Sequence, residues 1–298
     1  MERRIAAMRA RIMNPLLAMA FATLPLAPAF PAERLPPVYL THFFVTLDQA
    51  SYDALRNSSQ VAALGATEEK HTVAGSRNWT GFYIQGRQTY MEFFGAAAIP
   101  EGMRLGETGL ALTVEESGGV AAVAERLRTA FGDKVETGNT VATLAGGNVP
   151  WFNSVSIKDD GPAPISTWFM EIDPGFLAAK HPGAHIEHPL SRQEYLSWKF
   201  LPDHPLDNIV GLTAELNPVN ASRLGTELEL AGWTVQRSKE GFVATGPDIK
   251  FTVVPAKARE GIQQAELGLR HSVPAQRIEL GSTELLLKDN TGRFIFWK

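Results

Sequence analysis

Hydrophobic and polar positions alternate along residues 38–47, VYLTHFFVTL, where β-branched and aromatic residues dominate. Such a pattern is typical of a strand with one face in a protein core. Asp48 follows as a candidate helix N-cap, so a short helix is expected after it. A hairpin is then predicted over residues 80–94, with its turn at Gly86 and Arg87. This part of the chain therefore predicts a strand, a helix and further strands.

The same order of elements recurs twice further along the chain. The second pass has a strand at 110–114, an amphipathic helix at 120–131 that Gly132 ends, and strands at 141–144, 152–157 and 167–172. The third pass has a strand at 209–216, a helix at 219–230 and strands at 241–244, 249–254, 265–269, 277–280, 283–287 and 294–297. This repetition predicts an α+β fold of βαβββ modules, with cupped mixed sheets and helices on the outer face.

The predicted modules define the organisation of the chain. Residues 37–173 hold two paired βαβββ modules, the first at 37–95 and the second at 109–173. Residues 174–207 are a Pro- and His-rich connecting segment with one helical piece at 192–200. Residues 208–298 form a third βαβββ-like module with extra strands. The cup is expected to belong mainly to the first two modules.

The N-terminal segment has the three parts of a secretory signal. Four arginines precede a short apolar run at residues 15–24, and Ala27 and Ala29 form an Ala-x-Ala site. We therefore expect residues 1–29 to be a signal peptide, and the mature protein to be secreted or periplasmic with no membrane span. A misassigned start, with Met8 or Met13 as the true first residue, would keep the apolar run and the cleavage site.

Composition excludes several classes of function. The formal net charge is −4, and no basic cluster offers a surface for phosphates, so a nucleic-acid partner is not expected. The absence of cysteine excludes disulfides, thiolate nucleophiles and Cys-ligated zinc. No phosphate-cradling glycine loop or Gly-x-Ser-x-Gly elbow is present. The remaining candidate chemistry depends on histidine and carboxylate side chains.

Strand alternation places one histidine and one glutamate on compatible faces. On the first strand, Leu40, His42 and Phe44 are expected to share a face, because side chains in a strand alternate. On the last strand of the hairpin, Tyr90 shares a face with Glu92. Each set is the more polar face of its strand. We therefore expect His42 and Glu92 to point into one cup.

These residues also carry a family resemblance. The strand HFFV and the hairpin WTGFY-x-x-G-x-x-TYMEFF resemble the vicinal-oxygen-chelate superfamily, which includes glyoxalases, extradiol dioxygenases and bleomycin-resistance proteins. The finer pattern is most similar to a poorly characterised, often secreted branch of that fold. The resemblance implies paired βαβββ modules around a cup. It also implies metal ligation by a His on a module's first strand and a Glu on its last, the positions of His42 and Glu92.

The second module supplies one further candidate ligand. Glu171 lies near the end of its last strand and is expected to be a second carboxylate entering the cup. The first strand of the second module, however, has Leu110, Leu112 and Val114 where a second histidine is needed. One histidine with one or two carboxylates could bind a divalent metal ion, the only cofactor considered, with water completing the coordination.

Two other roles remain open for the same pair. Glu92 is a candidate general base whose pKa is raised by its aromatic surroundings. Alternatively, His42 and Glu92 bond each other or nearby backbone and only order the sheet. Trp79, Tyr83 and Tyr90 are candidate ligand contacts, although aromatic residues in a hairpin more commonly serve cross-strand packing.

A second group of titratable residues lies in the connecting segment. Proline and glycine interrupt any helix there, which favours a solvated loop over a zinc site. An alternative is that the segment closes over the cup and lends His185 or His188 as a ligand. The group consists of His181, His185, Glu187, His188 and His204.

Three functions follow from the sequence. The first is an exported small-molecule-binding protein of glyoxalase-like fold, whose cup contains His42 and Glu92 and takes a partly aromatic or carbonyl-bearing ligand. The second is a divalent-metal-dependent lyase, isomerase or dioxygenase that uses the same residues. The third is a structural or interaction module with a vestigial site. The sequence leaves the oligomeric state open.

Overall fold

A computed structural model describes residues 35–158, 161 and 163–297 of the chain. The expected signal segment, residues 1–29, lies outside the described residues. Strands dominate the described part and helices pack beside them, which confirms the predicted α+β class. None of its helices is both long enough and apolar enough to cross a membrane.

The first module is a βαβββ unit that begins with the predicted strand. Asp48 accepts a hydrogen bond from the backbone N–H of Ser51, so it is the N-cap that the sequence indicated. The first and last strands of the module pair in parallel. Its elements are β1 (Val38–Leu47), α1 (Gln49–Arg56), α2 (Ser59–Leu64), β2 (Ala66–Ala74), β3 (Arg77–Gln85) and β4 (Tyr90–Gly95).

The second module repeats this arrangement with one long helix. Gly132 ends that helix with a φ of +54°, a conformation that favours glycine. The first and last strands again pair in parallel. The elements are β5 (Thr108–Val114), α3 (Gly119–Phe131), β6 (Val135–Leu144), β7 (Gly147–Ile157) and β8 (Ile165–Ile172).

The two modules close into an eight-stranded barrel with the strand order β1-β4-β3-β2-β6-β7-β8-β5. They meet along two unequal junctions. On one side, β1 and β5 form an extended antiparallel ladder. On the other side, the β2–β6 ladder has the single residue pair Ala74 and Ala142, beside a hydrogen bond from the N–H of Gly75 to the carbonyl of Val141. We call this second junction the seam.

A β-bulge in β1 changes which residues face the barrel interior. The register with β5 shifts between Leu40 and His42, so Leu40 lies opposite Leu112 while His42 lies opposite Ala111. Residues directly opposite each other point to the same face of a sheet. The expectation that Leu40 shares a face with His42 is therefore wrong, because the bulge places Leu40 on the outer face.

The third module forms a separate six-stranded sheet with the order β10-β11-β12-β9-β13-β14. Its last two strands are long, where the sequence predicted four short ones. The connecting segment contains two short helices, of which only the second was predicted. The elements are α4 (Pro174–Lys180), α5 (Arg192–Ser197), β9 (Leu206–Leu216), α6 (Pro218–Leu230), β10 (Thr234–Ser238), β11 (Gly241–Thr245), β12 (Lys250–Pro255), β13 (Gly261–Leu280) and β14 (Thr283–Ile295).

The main hydrophobic core lies outside the barrel. The outer face of β1 and β4 packs against β14 and the residue after it through a cluster of four phenylalanines: Phe43, Phe93, Phe294 and Phe296. Neighbouring ring centroids in the cluster lie about 6 Å apart, the spacing of favourable aromatic packing. Burial at this outer core stabilises the barrel wall, so the interior is left for other side chains.

Arg192 fixes the connecting segment onto the barrel. It lies at the start of α5 and is only 4% exposed. Its guanidinium donates to the carboxylates of Glu115 and Asp248 at 3.1 and 2.7 Å, and to the backbone carbonyl of Leu40 at 2.5 Å. Because buried charges are stable only when they are paired and hydrogen-bonded, these contacts define where α5 lies.

Candidate ligand-binding site

The structure brings His42 and Glu92 together inside the barrel. They lie on the parallel neighbours β1 and β4, and both point inward. The Nε2 atom of His42 is 3.7 Å from Oε2 of Glu92. This distance is too long for a hydrogen bond. The two side chains are thus buried neighbours without a direct bond between them.

Glu92 is held by two aromatic donors from β3. The Tyr83 hydroxyl donates to Oε1 of Glu92 at 2.5 Å, and the Trp79 indole N–H donates to the same atom at 3.0 Å. Burial raises the pKa of Glu92 to about 7, although these two hydrogen bonds and the nearby Lys70 favour the ionised form. The carboxyl is consequently poised to gain or lose a proton near neutral pH.

Gly81 makes room for this hydrogen-bonded group. It lies on β3 between Trp79 and Tyr83, on the same inward face. A Cβ atom at this position would lie 3.0 Å from Oε1 of Glu92 and 3.1 Å from the Tyr83 hydroxyl. Both distances are tighter than ordinary van der Waals contact. The small residue therefore permits the approach of both aromatic donors to the carboxylate.

His42 lies behind this group as a neutral imidazole. Its ring stacks on Tyr90 with centroids 4.2 Å apart and meets the edge of Trp168 at 5.4 Å. Burial lowers the pKa of His42 to about 3. In the part of the chain that the structure describes, its Nδ1 atom has no hydrogen-bond partner. His42 does not line the cavity described below.

The strand registers show which residues of the second module correspond to this pair. His42 pairs with Tyr90, two residues before Glu92. In the second module, Ala111 pairs with Trp168, two residues before Met170. The counterparts of His42 and Glu92 are therefore Ala111 and Met170. Leu110, Leu112 and Val114, the positions at which the sequence predicts that a second histidine is needed, face outward.

Glu171 lies on the other side of the barrel wall. Its carboxylate accepts hydrogen bonds from the backbone N–H groups of Gly118 and Val120 at 2.9 and 3.3 Å, at the start of α3. A carboxylate is stabilised there by the unpaired amides and the positive end of the helix dipole. Trp168 and Met170 occupy the inward positions of β8, so Glu171 does not reach the cup.

The side chains present do not fit a resident divalent metal ion of the kind that the family resemblance implies. The first module offers one imidazole and one carboxylate, and the second offers Ala111 and Met170. Across residues 35–158, 161 and 163–297, no group of three or more histidine, aspartate or glutamate side chains is arranged to hold a metal. A protein site for such an ion normally supplies three or more ligands.

A cavity of about 300 Å³ opens beside Glu92, at the mouth of the barrel. Aromatic side chains form a large part of its walls, and all three predicted ligand contacts line it: Trp79, Tyr83 and Tyr90. The connecting segment covers the mouth with residues of α4 and α5 and those that follow, namely Phe176, Leu177, Lys180, His181, Tyr195, Leu196, Trp198 and Lys199. His185 and His188, the two histidines that the connecting segment was expected to lend as ligands, do not line the cavity. His181 does line it, and its ring stacks on that of Trp198 with centroids 3.8 Å apart.

Three lysines line this cavity, Lys70, Lys180 and Lys199, and the sequence predicted none of them as a site residue. Lys70 points inward from β2, and Lys180 lies in the last turn of α4. Burial lowers the pKa of both ammonium groups. For Lys70 the sequence holds a signal, because Lys70 and Thr72 are two residues apart and so share a face of β2. For Lys180 it holds none, because α4 is not predicted from the sequence and a lysine is usually exposed to solvent.

Paired βαβββ modules, a closed eight-stranded barrel and a second, six-stranded sheet define an α+β protein. The chain belongs to DUF5829, a family of unknown function that matches residues 40–296. No curated protein matches the sequence.

Some solved structures are similar to this chain at low sequence identity. A hypothetical protein from Staphylococcus aureus aligns with a TM-score of 0.51 at 13% identity, over 81% of this chain and 95% of its own. The 2,2',3-trihydroxybiphenyl 1,2-dioxygenase from Sphingomonas wittichii strain RW1 aligns at 0.42 and 10%, over 88% and 92% of the two chains. Homoprotocatechuate 2,3-dioxygenase from Arthrobacter globiformis aligns at 0.37 and 16%, over 76% and 62%.

Proposed function

We propose that this chain is an exported protein that binds a compact, planar aromatic molecule in the barrel mouth without a metal ion. The observation that carries the proposal is the aromatic cavity of about 300 Å³ under α4 and α5. Small-molecule sites are typically concave, mostly apolar and of this size or larger. One or two fused rings would fit such a space.

The walls offer both stacking and polar contacts. Trp151 and Phe176 stack on each other at 5.2 Å, and Trp151 donates a hydrogen bond from its indole to the Tyr195 hydroxyl at 3.0 Å. Gln85 lines the cavity with an Oε1 atom that has no partner among the residues of the described ranges. A buried polar atom without a partner is costly, so a ligand or water that bonds Gln85 would stabilise the site.

Export is part of the proposal because the N-terminal pattern of arginines, apolar run and Ala-x-Ala site is that of a secretory signal. Mass determination of the mature N-terminus after expression in a bacterial host with a periplasm tests it. A chain found in the periplasm and cleaved after Ala29 supports export. Retention of the full-length chain in the cytoplasm contradicts it.

Proton transfer by Glu92 is a second candidate function. The side chain lines the cavity and has a pKa of about 7, which suits a general base working at neutral pH. A lyase or isomerase that needs no metal ion would use such a group. The metal-dependent version of this function has less support, because the second module contributes Ala111 and Met170 in place of ligands.

Binding of 2-naphthol and 2-naphthoate, followed by tryptophan fluorescence, tests the main proposal. We expect one molecule of at least one probe to bind per chain, and Trp151→Leu to weaken that binding at least tenfold. Trp297→Leu is the matched control, because Trp297 is outside the cavity lining. Failure of both probes to bind at 1 mM, with the protein folded, would support a structural module with a vestigial site instead.

A further inference from the structure

We propose that the ligand is an anion and that Lys70 and Lys180 hold its negative group. This inference rests on the proposed binding function and adds the chemical class of the ligand. It follows from the position of two ammonium groups in an aromatic cavity that lacks matching negative charge.

Both lysines reach the same part of the cavity. The Nζ atom of Lys70 lies 5.9 Å from the centre of the Trp151 ring, and the Nζ atom of Lys180 lies 5.4 Å from the centre of the Phe176 ring. Trp151 and Phe176 are themselves stacked, 5.2 Å apart. The two ammonium groups therefore reach one aromatic pair from different parts of the chain: Lys70 from β2 of the first module, and Lys180 from α4 of the connecting segment. Burial lowers the pKa of both ammonium groups, and the positive charge of Lys70 lowers the pKa of Lys180 further.

The carboxylates that line the cavity do not neutralise these two charges. Glu68 forms an ion pair with Lys199, at the rim. Glu92 is near enough to Lys70 to oppose the lowering of its pKa by burial, but the two side chains form no ion pair in the described part of the chain. Within the described ranges, neither Lys70 nor Lys180 has an ion-pair partner at that distance.

Glu92 is moreover a poor counterion. Its Oε1 atom is occupied by the hydrogen bonds from Trp79 and Tyr83, and burial raises its pKa to about 7, so a large fraction is protonated at neutral pH. Besides the ion pair of Glu68 and Lys199, the cavity consequently holds two partly buried cations and one partly ionised carboxyl group, that of Glu92. Burial of a charge without a partner is costly. A bound anion would remove that cost.

The shape of the cavity limits what the anion is attached to. Trp79, Tyr83 and Tyr90 line the cavity near Glu92, while Trp151 and Phe176 lie near the lysines. A planar ring would contact the aromatic walls, and a carboxylate or similar small anionic group would extend to the two ammonium groups. Planar aromatic carboxylates therefore match both parts of the site.

Two probes of nearly identical shape test the charge requirement. 2-Naphthoate carries a carboxylate and 2-naphthamide carries a neutral amide in its place. Isothermal titration calorimetry at pH 7 with the full chain should show that the acid binds at least tenfold more tightly than the amide. Raising NaCl from 20 to 500 mM should weaken binding of the acid and leave the amide within twofold.

Lysine variants then locate the charge. Lys70→Met and Lys180→Met keep most of the side-chain volume, so each should lose at least tenfold in affinity for 2-naphthoate and less than twofold for 2-naphthamide. Lys250→Met is the matched control, because Lys250 is exposed on β12, away from the cavity. The double variant without ligand should melt at a higher temperature than the wild type, since two mutually repelling buried cations are removed.

The outcomes separate this inference from the proposed function. Equal binding of the two probes by the wild type, or equal losses of both probes in the lysine variants, overturns the anion clamp but leaves an aromatic binding cup. Binding of neither probe removes the binding function itself. A double variant that unfolds is distinguished by its melting curve, and the single variants then decide the question.

Discussion

His42 and Ala111 lie opposite each other in the β1–β5 ladder and hold the same position in their respective modules. One module therefore places an imidazole in the barrel where the other places a methyl group. The same inequality holds for Glu92 and Met170. At these two pairs of positions, the first module places polar side chains in the interior and the second places apolar ones.

Because the second module lacks counterparts of the His42 and Glu92 side chains, we predict that the protein binds divalent metal ions weakly. Added Mn²⁺, Co²⁺ or Zn²⁺ should leave the melting temperature within about 1 °C, since two side-chain ligands hold a divalent ion poorly. Differential scanning fluorimetry after dialysis against EDTA measures this. A His42→Ala/Glu92→Ala variant provides the control. A stoichiometric metal that survives dialysis of the wild type and is lost in the variant would contradict the prediction.

Glu92→Gln should change the pH dependence of stability. Burial raises the pKa of Glu92 from 4.5 to about 7, so the contribution of this group is fully present below pH 4.5 and is lost as the pH rises through 7. Glutamine keeps an acceptor for Trp79 and Tyr83 but does not titrate. The variant should gain up to roughly 3 kcal/mol in free energy of unfolding, relative to wild type, between pH 4.5 and pH 8.

Urea unfolding of both proteins at pH 4.5, 6 and 8 measures this gain. The lowered pKa of His42 acts in the opposite direction: its contribution is fully present above pH 6.5 and is lost as the pH falls towards 3. Because His42 is present in both proteins, its effect largely cancels in the comparison. A difference that stays constant across the three pH values would show that Glu92 ionises normally.

Tyr83→Phe should raise the pKa of Glu92 further. The Tyr83 hydroxyl donates the shorter of the two hydrogen bonds to Oε1, and such donation favours the ionised form. Its loss should also cost about 1–3 kcal/mol in stability at pH 8. Carbon NMR of the glutamate carboxyl resonances follows the titration. Tyr39→Phe is the control, and equal titrations in both variants would disprove the role of the Tyr83 bond.

Gly81→Ala should destabilise the protein by about 1–3 kcal/mol, because the new methyl group would press on the Glu92 carboxylate and the Tyr83 hydroxyl. Gly146→Ala is the matched control, since a Cβ atom at Gly146 meets no atom within 4 Å. We expect that change to stay within about 0.5 kcal/mol. Chemical denaturation measures both, and equal effects would show that the space around Gly81 is not limiting.

The sequence predicted elements well where burial imposes a strong pattern. β1 has the predicted bounds, and α3 begins one residue before its predicted start. Both were predicted well because each buries an apolar face, which leaves a clear hydrophobic pattern in the sequence. β2 and β10 are mostly polar, so hydrophobic alternation does not reveal them. β13 and β14 were broken into short predicted strands because the middle of this hairpin is exposed.

Residues of the candidate site could be predicted only where the side chains of a strand alternate regularly between its two faces. Glu92 and His42 were found because each lies on a strand whose alternation holds at that residue. Leu40 was misplaced because a bulge is a tertiary feature that reverses alternation. Lys180 enters the cavity only through the docking of α4, which the local sequence does not encode in any recognisable pattern.

The seam implies that a bound ligand would stabilise the junction between the two modules. The two modules are continuous along β1 and β5 but joined by one residue pair, Ala74 and Ala142, between β2 and β6. Lys70 lies on β2, while Trp151 lies on β7, across that junction. A molecule bound between Lys70 and Trp151 would contact both modules and so stabilise the seam, which few backbone contacts hold together. Amide hydrogens along the seam would then report occupancy, exchanging with solvent more slowly when the cavity is full.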